Sequence, residues 1–164
     1  MSNHNPAHSE QNPENYGKQI EDKNDNWDCH PGPTPAVTMR GGQFIVRNKL
    51  PWPILYIYVR HTTSAYGSKS IEFENIPPNG NSLATHINYQ TGVGSSFDYW
   101  YVIGHSAFGA GMATFESKDN FYCSFSTSDN GTAYLDIIGD REGGPYELAV
   151  NFSNSSGCTT SIIR

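Results

Sequence analysis

The chain has 164 residues and a net charge of −6, from 16 acidic and 10 basic side chains. A protein that binds phosphate backbones needs clustered Lys and Arg, so this balance argues against a nucleic-acid partner. Only 16% of the residues are charged, and no apolar run reaches the roughly 18 residues of a membrane-spanning helix.

Residues 1–41 are rich in Asn, Glu, Asp and Pro and carry few large apolar side chains. Such a composition buries too little apolar surface to offset the conformational entropy lost on ordering. We therefore expect a polar N-terminal arm that is mobile or draped over the body. Trp27, before the proline-rich residues 31–35, is an exception worth burying. The start lacks the regions of a secretory signal, which leaves localisation open between the cytoplasm and unconventional export.

From Gly42 onward, strand patterns alternate with turn-forming residues. The predicted strands are Phe44–Asn48, Ile54–Thr62, Ser70–Asn75, Ser82–Gln90, Phe97–Ile103, Met112–Ser117, Phe121–Ser126, Thr132–Ile138 and Tyr146–Phe152. Pro, Gly, Asn and Asp clusters separate them, and no window has a sustained helical period. Eight or nine short strands are typical of a sandwich or barrel. We take an all-β fold, a single antiparallel β-sandwich over residues 42–164, as the fold class.

The alternation of side chains along the predicted strands assigns their faces. Apolar residues predicted to face the core are Leu55, Ile57, Val59, Ala133, Leu135, Ile137, Tyr146, Leu148, Val150 and Phe152. Residues predicted to face outward are Tyr56, Tyr58, Arg60, Asp136, Glu147 and Asn151.

The stretch "FDYWYV" at residues 97–102 is bulky on both faces. Phe97, Tyr99 and Tyr101 share one side, and Trp100 lies on the other with Asp98. This pattern favours a strand that is buried on one side and presents a groove on the other. We assign Phe97 to the core and Trp100, with Tyr56 or Tyr58, to a binding surface.

Outward aromatic side chains are the main candidates for binding, because they combine flat apolar faces with polar tips. The tyrosines considered include Tyr89 and Tyr99; the alternative for any one of them is that it covers the sandwich beneath the arm. The ligand-binding candidates are Tyr56, Tyr58, Arg60, Tyr66, Asp98, Trp100 and Tyr101.

Catalytic and metal sites are poorly supported. Ser106 lies in "GHSAF", which lacks the second glycine of a nucleophile elbow. The body histidines, His61, His86 and His105, have no metal-ligand spacing. Acids such as Glu72, Glu74 and Glu116 alternate along strands, as on a solvated face. We therefore expect no catalytic residue, metal or cofactor.

Three cysteines, Cys29, Cys123 and Cys158, are too few for a disulfide scaffold. A bridge between Cys123 and Cys158 would close a long loop and stabilise the fold by about 3–4 kcal/mol in the chain-entropy model. Two buried thiols are the alternative, and the sequence leaves both open.

Four segments carry a resemblance to a known group of proteins: "FIVRN" (44–48), "ILYIYVRH" (54–61), "IPPNG" (76–80) and "TGVGSSFDYW" (91–100). Over residues 43–155 the pattern resembles the small β-sandwich proteins of the aegerolysin and actinoporin-like kind. That resemblance implies a sandwich that recognises membrane lipids through aromatic and polar loops. The amphipathic N-terminal helix of actinoporins is missing, so pore formation is not implied.

Three functions follow from these observations. The first, which we favour, is a non-enzymatic recognition module, toxin-like or lectin-like, that binds a membrane lipid headgroup or a glycan through exposed aromatics. The second is a structural protein whose tyrosine-rich faces assemble it into a homo-oligomer. The third is a hydrolase with a site built from scattered acids and histidines.

Overall fold

A computed structural model describes residues 37–139 and 145–162. Most of the predicted arm, with Trp27 and Cys29, lies outside the described residues. Within them the regular structure consists of strands only: β1 Thr38–Lys49, β2 Ile54–Thr63, β3 Gly67–Ile76, β4 Thr85–Thr91, β5 Tyr99–Phe108, β6 Gly111–Glu116, β7 Thr132–Ile138, β8 Tyr146–Asn151 and β9 Cys158–Ile162.

The nine strands form two sheets that share one core. One sheet has five strands in the order β4-β1-β7-β8-β9, and the other has four in the order β3-β2-β5-β6. Neighbours are antiparallel except β1 and β7, which run parallel. The predicted all-β sandwich is confirmed, with this one parallel pair as a departure.

The core lies between the two sheets and is built from the inward side chains of both. Phe44 of β1 meets Trp100 of β5 edge to face, with ring centroids 5.9 Å apart. Phe115 of β6 meets Tyr146 of β8 at 6.0 Å. Each large apolar side chain buried in this way contributes about 1.5–3 kcal/mol. The inward residues predicted on β7 and β8 are buried, and Phe152 packs against them half-buried.

Two predicted faces are wrong in detail. Leu55 is exposed, and Ile54 takes the inward position because the register between β2 and β5 shifts between Ile54 and Tyr56. Tyr89, considered as an outward tyrosine, is buried and stacks on Phe125 at 3.9 Å. Alternation alone cannot locate an irregularity that resets the parity of a strand.

Asp136 points outward as predicted, yet it is buried. Its Oδ2 accepts hydrogen bonds from Arg47 Nη2 at 2.7 Å and Asn151 Nδ2 at 3.1 Å. The guanidinium of Arg47 also lies over the ring of Tyr134. A paired carboxylate is therefore covered by its own neighbours on the outer side of the five-stranded sheet.

Strand boundaries differ from the prediction where glycine and polar residues mask the strand pattern. β1 begins at Thr38, within the last residues assigned to the arm, and runs through Gly41 and Gly42. A Cβ at Gly42 would lie 2.3 Å from the carbonyl oxygen of Gly131, so only glycine permits this approach. β5 likewise continues to Phe108 through Gly104, where a Cβ would lie 2.4 Å from the carbonyl oxygen of Tyr56.

The segment Phe121–Ser126 is not a strand, although it was predicted as one. It makes a single bridge, Tyr99 with Tyr122, and isolated backbone hydrogen bonds. Strand β9, which was not predicted, pairs with β8. A disulfide joins Cys123 of the irregular segment to Cys158 of β9, so of the two alternatives for these cysteines the structure has the bridge.

Candidate functional site

The structure reverses the assignment of Phe97 and Trp100. Trp100 is fully buried, and its indole Nε1 donates to the carbonyl oxygen of Cys123 at 2.9 Å. Phe97 lies before β5 and is 54% exposed. The bulk on both sides of this stretch has a structural reason, because β5 packs Trp100 and Val102 into the core while its other side faces solvent. Trp100 is therefore not a surface anchor.

Asp98 belongs to the buried structure as well. Its Oδ1 lies 2.7 Å from His61 Nε2, and both side chains are buried. Its Oδ2 accepts the backbone N–H of Phe125 at 3.3 Å, and its own N–H donates to Ser124 Oγ at 3.0 Å. Asp98 thus fixes the irregular segment and His61, and it does not reach a surface where a ligand could meet it.

Four of the candidate residues do come together on one surface. Tyr56, Tyr58 and Arg60 of β2 point outward beside His105 and Tyr101 of β5. We call these five residues on the outer side of the four-stranded sheet the tyrosine face. Register pairs Tyr56 with His105 and Arg60 with Tyr101, so the side chains form adjacent rows across two strands.

The polar groups of the tyrosine face are held by neighbouring polar side chains. Tyr101 donates to Glu116 Oε1 at 2.6 Å, and this bond, with burial and the charge of Glu116, raises the pKa of Tyr101 to about 12. Burial and the nearby Glu72 raise the pKa of Tyr56 as well. Arg60 lies 4.7 Å above the ring of Tyr101. The phenols of Tyr101 and Tyr56 therefore stay neutral.

A shallow groove of about 200 Å³ opens at one end of the tyrosine face. Its lining includes Arg60, Thr62, Ser68, Tyr99, Tyr101 and Asp119. Arg60 Nη2 contacts Asp119 Oδ1 at 2.7 Å, and the hydroxyls of Thr62 and Ser68 lie 2.8 Å apart. The groove therefore brings together aromatic rings, hydroxyl groups and one ion pair.

A second surface was not anticipated from the sequence as a unit, although Tyr66 was a candidate. Nine large hydrophobic side chains are exposed among the described residues, and six of them lie at one end of the sandwich. We call this set the apolar end: Val37, Met39, Tyr66, Val93, Phe97 and Tyr122.

Contacts across four chain segments bring the apolar end together. Thr38 at the start of β1 pairs with Thr91 at the end of β4. The hydroxyl of Tyr66 contacts the sulfur of Met39. Phe97 lies 5.0 Å from Tyr122 between ring centroids, and Tyr99 lies 6.0 Å from Tyr122. Each of these residues alone would be an ordinary exposed side chain. They lie together because the strand topology brings the four segments to the same end of the sandwich.

Three cations lie on the chain segments that carry the apolar end. The segments 37–40, 64–69, 91–97 and 118–122 contain three cations, Arg40, Lys69 and Lys118, and one acid, Asp119. That acid is already paired with Arg60. Two further acids at this end, Asp98 and Asp129, are buried and hydrogen-bonded, so the charges that reach solvent there are the three cations and Asp119.

The groups considered for catalysis are occupied in the structure. Ser106 is buried, with its hydroxyl 3.1 Å from that of Tyr146. His105 Nδ1 contacts Thr114 Oγ1 at 3.2 Å, while His61 is paired with Asp98. Among residues 37–139 and 145–162, no three His, Cys, Asp or Glu side chains are grouped so as to hold a metal ion.

No family model and no curated protein matches the chain. In the part of the chain that the structure describes, no helix is long and apolar enough to cross a bilayer.

Proposed function

We propose that this protein is a non-enzymatic recognition module that docks on a membrane surface through its apolar end and contacts lipid headgroups there. The observation that carries this proposal is the concentration of six exposed large hydrophobic side chains at one end of the sandwich. Isolated exposed apolar residues need no explanation, but a contiguous set flanked by polar residues marks an interaction surface.

The chemistry of this surface suits the boundary between headgroups and acyl chains. Tyr66, Phe97 and Tyr122 are aromatic, and amphipathic aromatic rings are favoured at that depth. Val93 and Met39 add aliphatic surface, and full burial of such a side chain contributes about 1.5–3 kcal/mol. Partial insertion of several of them is enough for reversible docking.

The cations beside the apolar end favour a leaflet that contains anionic lipid. A Lys or Arg near such a leaflet contributes about 1 kcal/mol, and the attraction decays within a Debye length. Arg40, Lys69 and Lys118 are the side chains in position to act in this way. The overall negative charge of the chain opposes approach in other orientations, so the protein should dock with the apolar end first.

The test is co-sedimentation with phosphatidylcholine vesicles, with and without phosphatidylserine. We expect binding that is stronger with phosphatidylserine and weaker at high salt. Val93→Ser should weaken it by about tenfold, as expected for loss of one apolar anchor. Leu83→Ser is the matched control, because Leu83 is 83% exposed against 84% for Val93 but lies at the other end of β4.

Equal binding by the Val93→Ser and Leu83→Ser proteins would overturn the proposal, as would no binding to either kind of vesicle. A sizing column covers the self-assembling alternative. If the protein forms a dimer that Val93→Ser dissociates, the apolar end is an interface between two copies and the membrane proposal is replaced.

A further inference from the structure

We propose a second, independent binding site: the tyrosine face and its groove bind a neutral oligosaccharide. The tyrosine face shares no residue with the apolar end, although its groove adjoins that end through Tyr99, Ser68 and Asp119. Tyr56, Tyr58, Arg60 and Tyr101 lie outward on two paired strands, within a few residues of one another.

The rings of the tyrosine face are held in defined orientations by contacts with one another. Tyr58 and Tyr101 contact each other edge to face at 6.2 Å, and Tyr56 lies 6.0 Å from His105. Both strands are paired on each side, β2 with β3 and β5 with β6. Groups carried on strands are placed more precisely than groups on loops, and little side-chain entropy remains to be lost on binding. A pyranose ring presents a flat face of C–H groups that can lie on one such ring.

The groove supplies the polar half of the site. Arg60 has five N–H donors. Among the described residues it uses one of them, from Nη2 to Asp119 Oδ1, so the others can reach a ligand. The carboxylate of Asp119 and the hydroxyls of Thr62 and Ser68 supply acceptors and donors beside it. Neighbouring hydroxyls of a sugar both donate and accept, so they can engage a guanidinium and a carboxylate at once. The groove is smaller than the roughly 300–1,000 Å³ of pockets for drug-sized ligands, which suits one sugar ring.

The charge on this side of the sheet selects against other ligands. Register places Glu72 beside Tyr58, Glu74 beside Tyr56 and Glu116 beside Ile103. These carboxylates repel phosphate groups, whether of a nucleic acid or of an anionic leaflet. Among the residues on the tyrosine face none is an exposed large hydrophobic of the kind found at the apolar end. A neutral polyol with an apolar face is the ligand class that remains.

The experiment is a titration with neutral hexose oligomers, both α-linked and β-linked, and with N-acetylglucosamine oligomers, followed by calorimetry and by backbone NMR shifts. We expect at least one of these probes to bind, with shifts centred on β2 and β5. Tyr101→Ala and Arg60→Gln should each weaken that binding by about tenfold or more. Val93→Ser, at the apolar end, is the control and should bind the oligomer as the unchanged protein does.

No binding by any of the three kinds of oligomer would overturn the proposal, and so would unchanged binding by the Arg60→Gln protein. Arg60 is partly exposed, so its replacement keeps the fold even if Tyr101→Ala does not. The vesicle assay separates this result from the proposed function. If the protein binds vesicles but no oligomer, only the tyrosine-face proposal is wrong. If it binds an oligomer but no vesicles, only the membrane proposal is wrong.

Discussion

Trp100 is the largest fully buried side chain among the described residues. Its indole donates to the carbonyl oxygen of Cys123, its ring lies 4.5 Å from that of His61, and Phe44 of the other sheet meets its edge. One side chain thus joins both sheets and the irregular segment after β6. Phe97, three positions earlier, is exposed and lies beside the rings of Tyr99 and Tyr122.

These environments predict opposite effects of substitution. Trp100→Ala should lower the free energy of unfolding by about 3–5 kcal/mol, because it removes a large buried ring. Phe97→Ser should change it by less than about 0.5 kcal/mol, as for an exposed position. Urea denaturation measures both. Similar losses for the two variants would show that Phe97 is buried in solution.

At the scale of elements, the disulfide between Cys123 and Cys158 holds in place a segment that has almost no strand pairing of its own. The segment between β6 and β7 has one bridge and few backbone bonds, yet Cys123 is fixed to Cys158 across 35 residues. Closing a loop of this length stabilises a fold by about 3–4 kcal/mol in the chain-entropy model.

Replacing both Cys123 and Cys158 by Ser should therefore lower stability by about this amount. Hydrogen exchange should increase first at residues 118–126 and in β9, because these segments are tied by the bridge. The control is Cys29→Ser, a cysteine that the bridge does not use. Uniformly faster exchange over all strands would contradict a local role for the disulfide.

The elements that could be predicted from the sequence are those with plain alternation, such as β2 and β7. Segment 121–126 has the composition of a strand, but its N–H groups bond to side chains and loop carbonyls, as at Phe125 and Asp98. β9 has too few apolar residues to show a period. On the tyrosine face, Tyr56, Tyr58 and Arg60 were identifiable because β2 alternates regularly. Trp100 was misplaced because both sides of β5 are bulky.

At the scale of the whole molecule, the two surfaces differ in how they arise. The tyrosine face follows from neighbouring strands of one sheet, so local alternation points to it. The apolar end needs the segments 37–40, 64–69, 91–97 and 118–122 to meet, and no local pattern encodes that meeting. The parallel pairing of β1 with β7 is hidden for the same reason.

Asp129 links two loops and should govern the acid stability of the molecule. Burial alone would raise its pKa, but hydrogen bonds from Ser155, Ser126 and Asn154 outweigh burial and hold the pKa well below the usual range. Because the folded pKa is depressed, the carboxylate stabilises the fold above its unfolded pKa of about 3.9, and this contribution is lost as pH falls towards the folded value.

Asp129→Asn should lower the free energy of unfolding at neutral pH by roughly 1–3 kcal/mol, since the donors to one of its two carboxylate oxygens would face an amide NH2 instead of an acceptor. The difference from the unchanged protein should shrink below about pH 4. Asp119→Asn is the control, because the side chain of Asp119 is 76% exposed. The measurement is urea denaturation at several pH values. If the difference in unfolding free energy between the Asp129→Asn and unchanged proteins stays the same in acid, the effect comes from packing and not from the charge of Asp129.

The position of β1 has a consequence for how the protein is made. It is the first of the described strands in the chain, yet it lies inside its sheet, between β4 and β7. Gln43 of β1 pairs with Thr132 of β7, which is synthesised 89 residues later. Until β7 has left the ribosome, one edge of β1 has no partner, and open edges recruit strands of other chains. Such distant pairings also slow folding. The chain is therefore most prone to aggregate during its own translation, and this sheet cannot close before β7 has been synthesised.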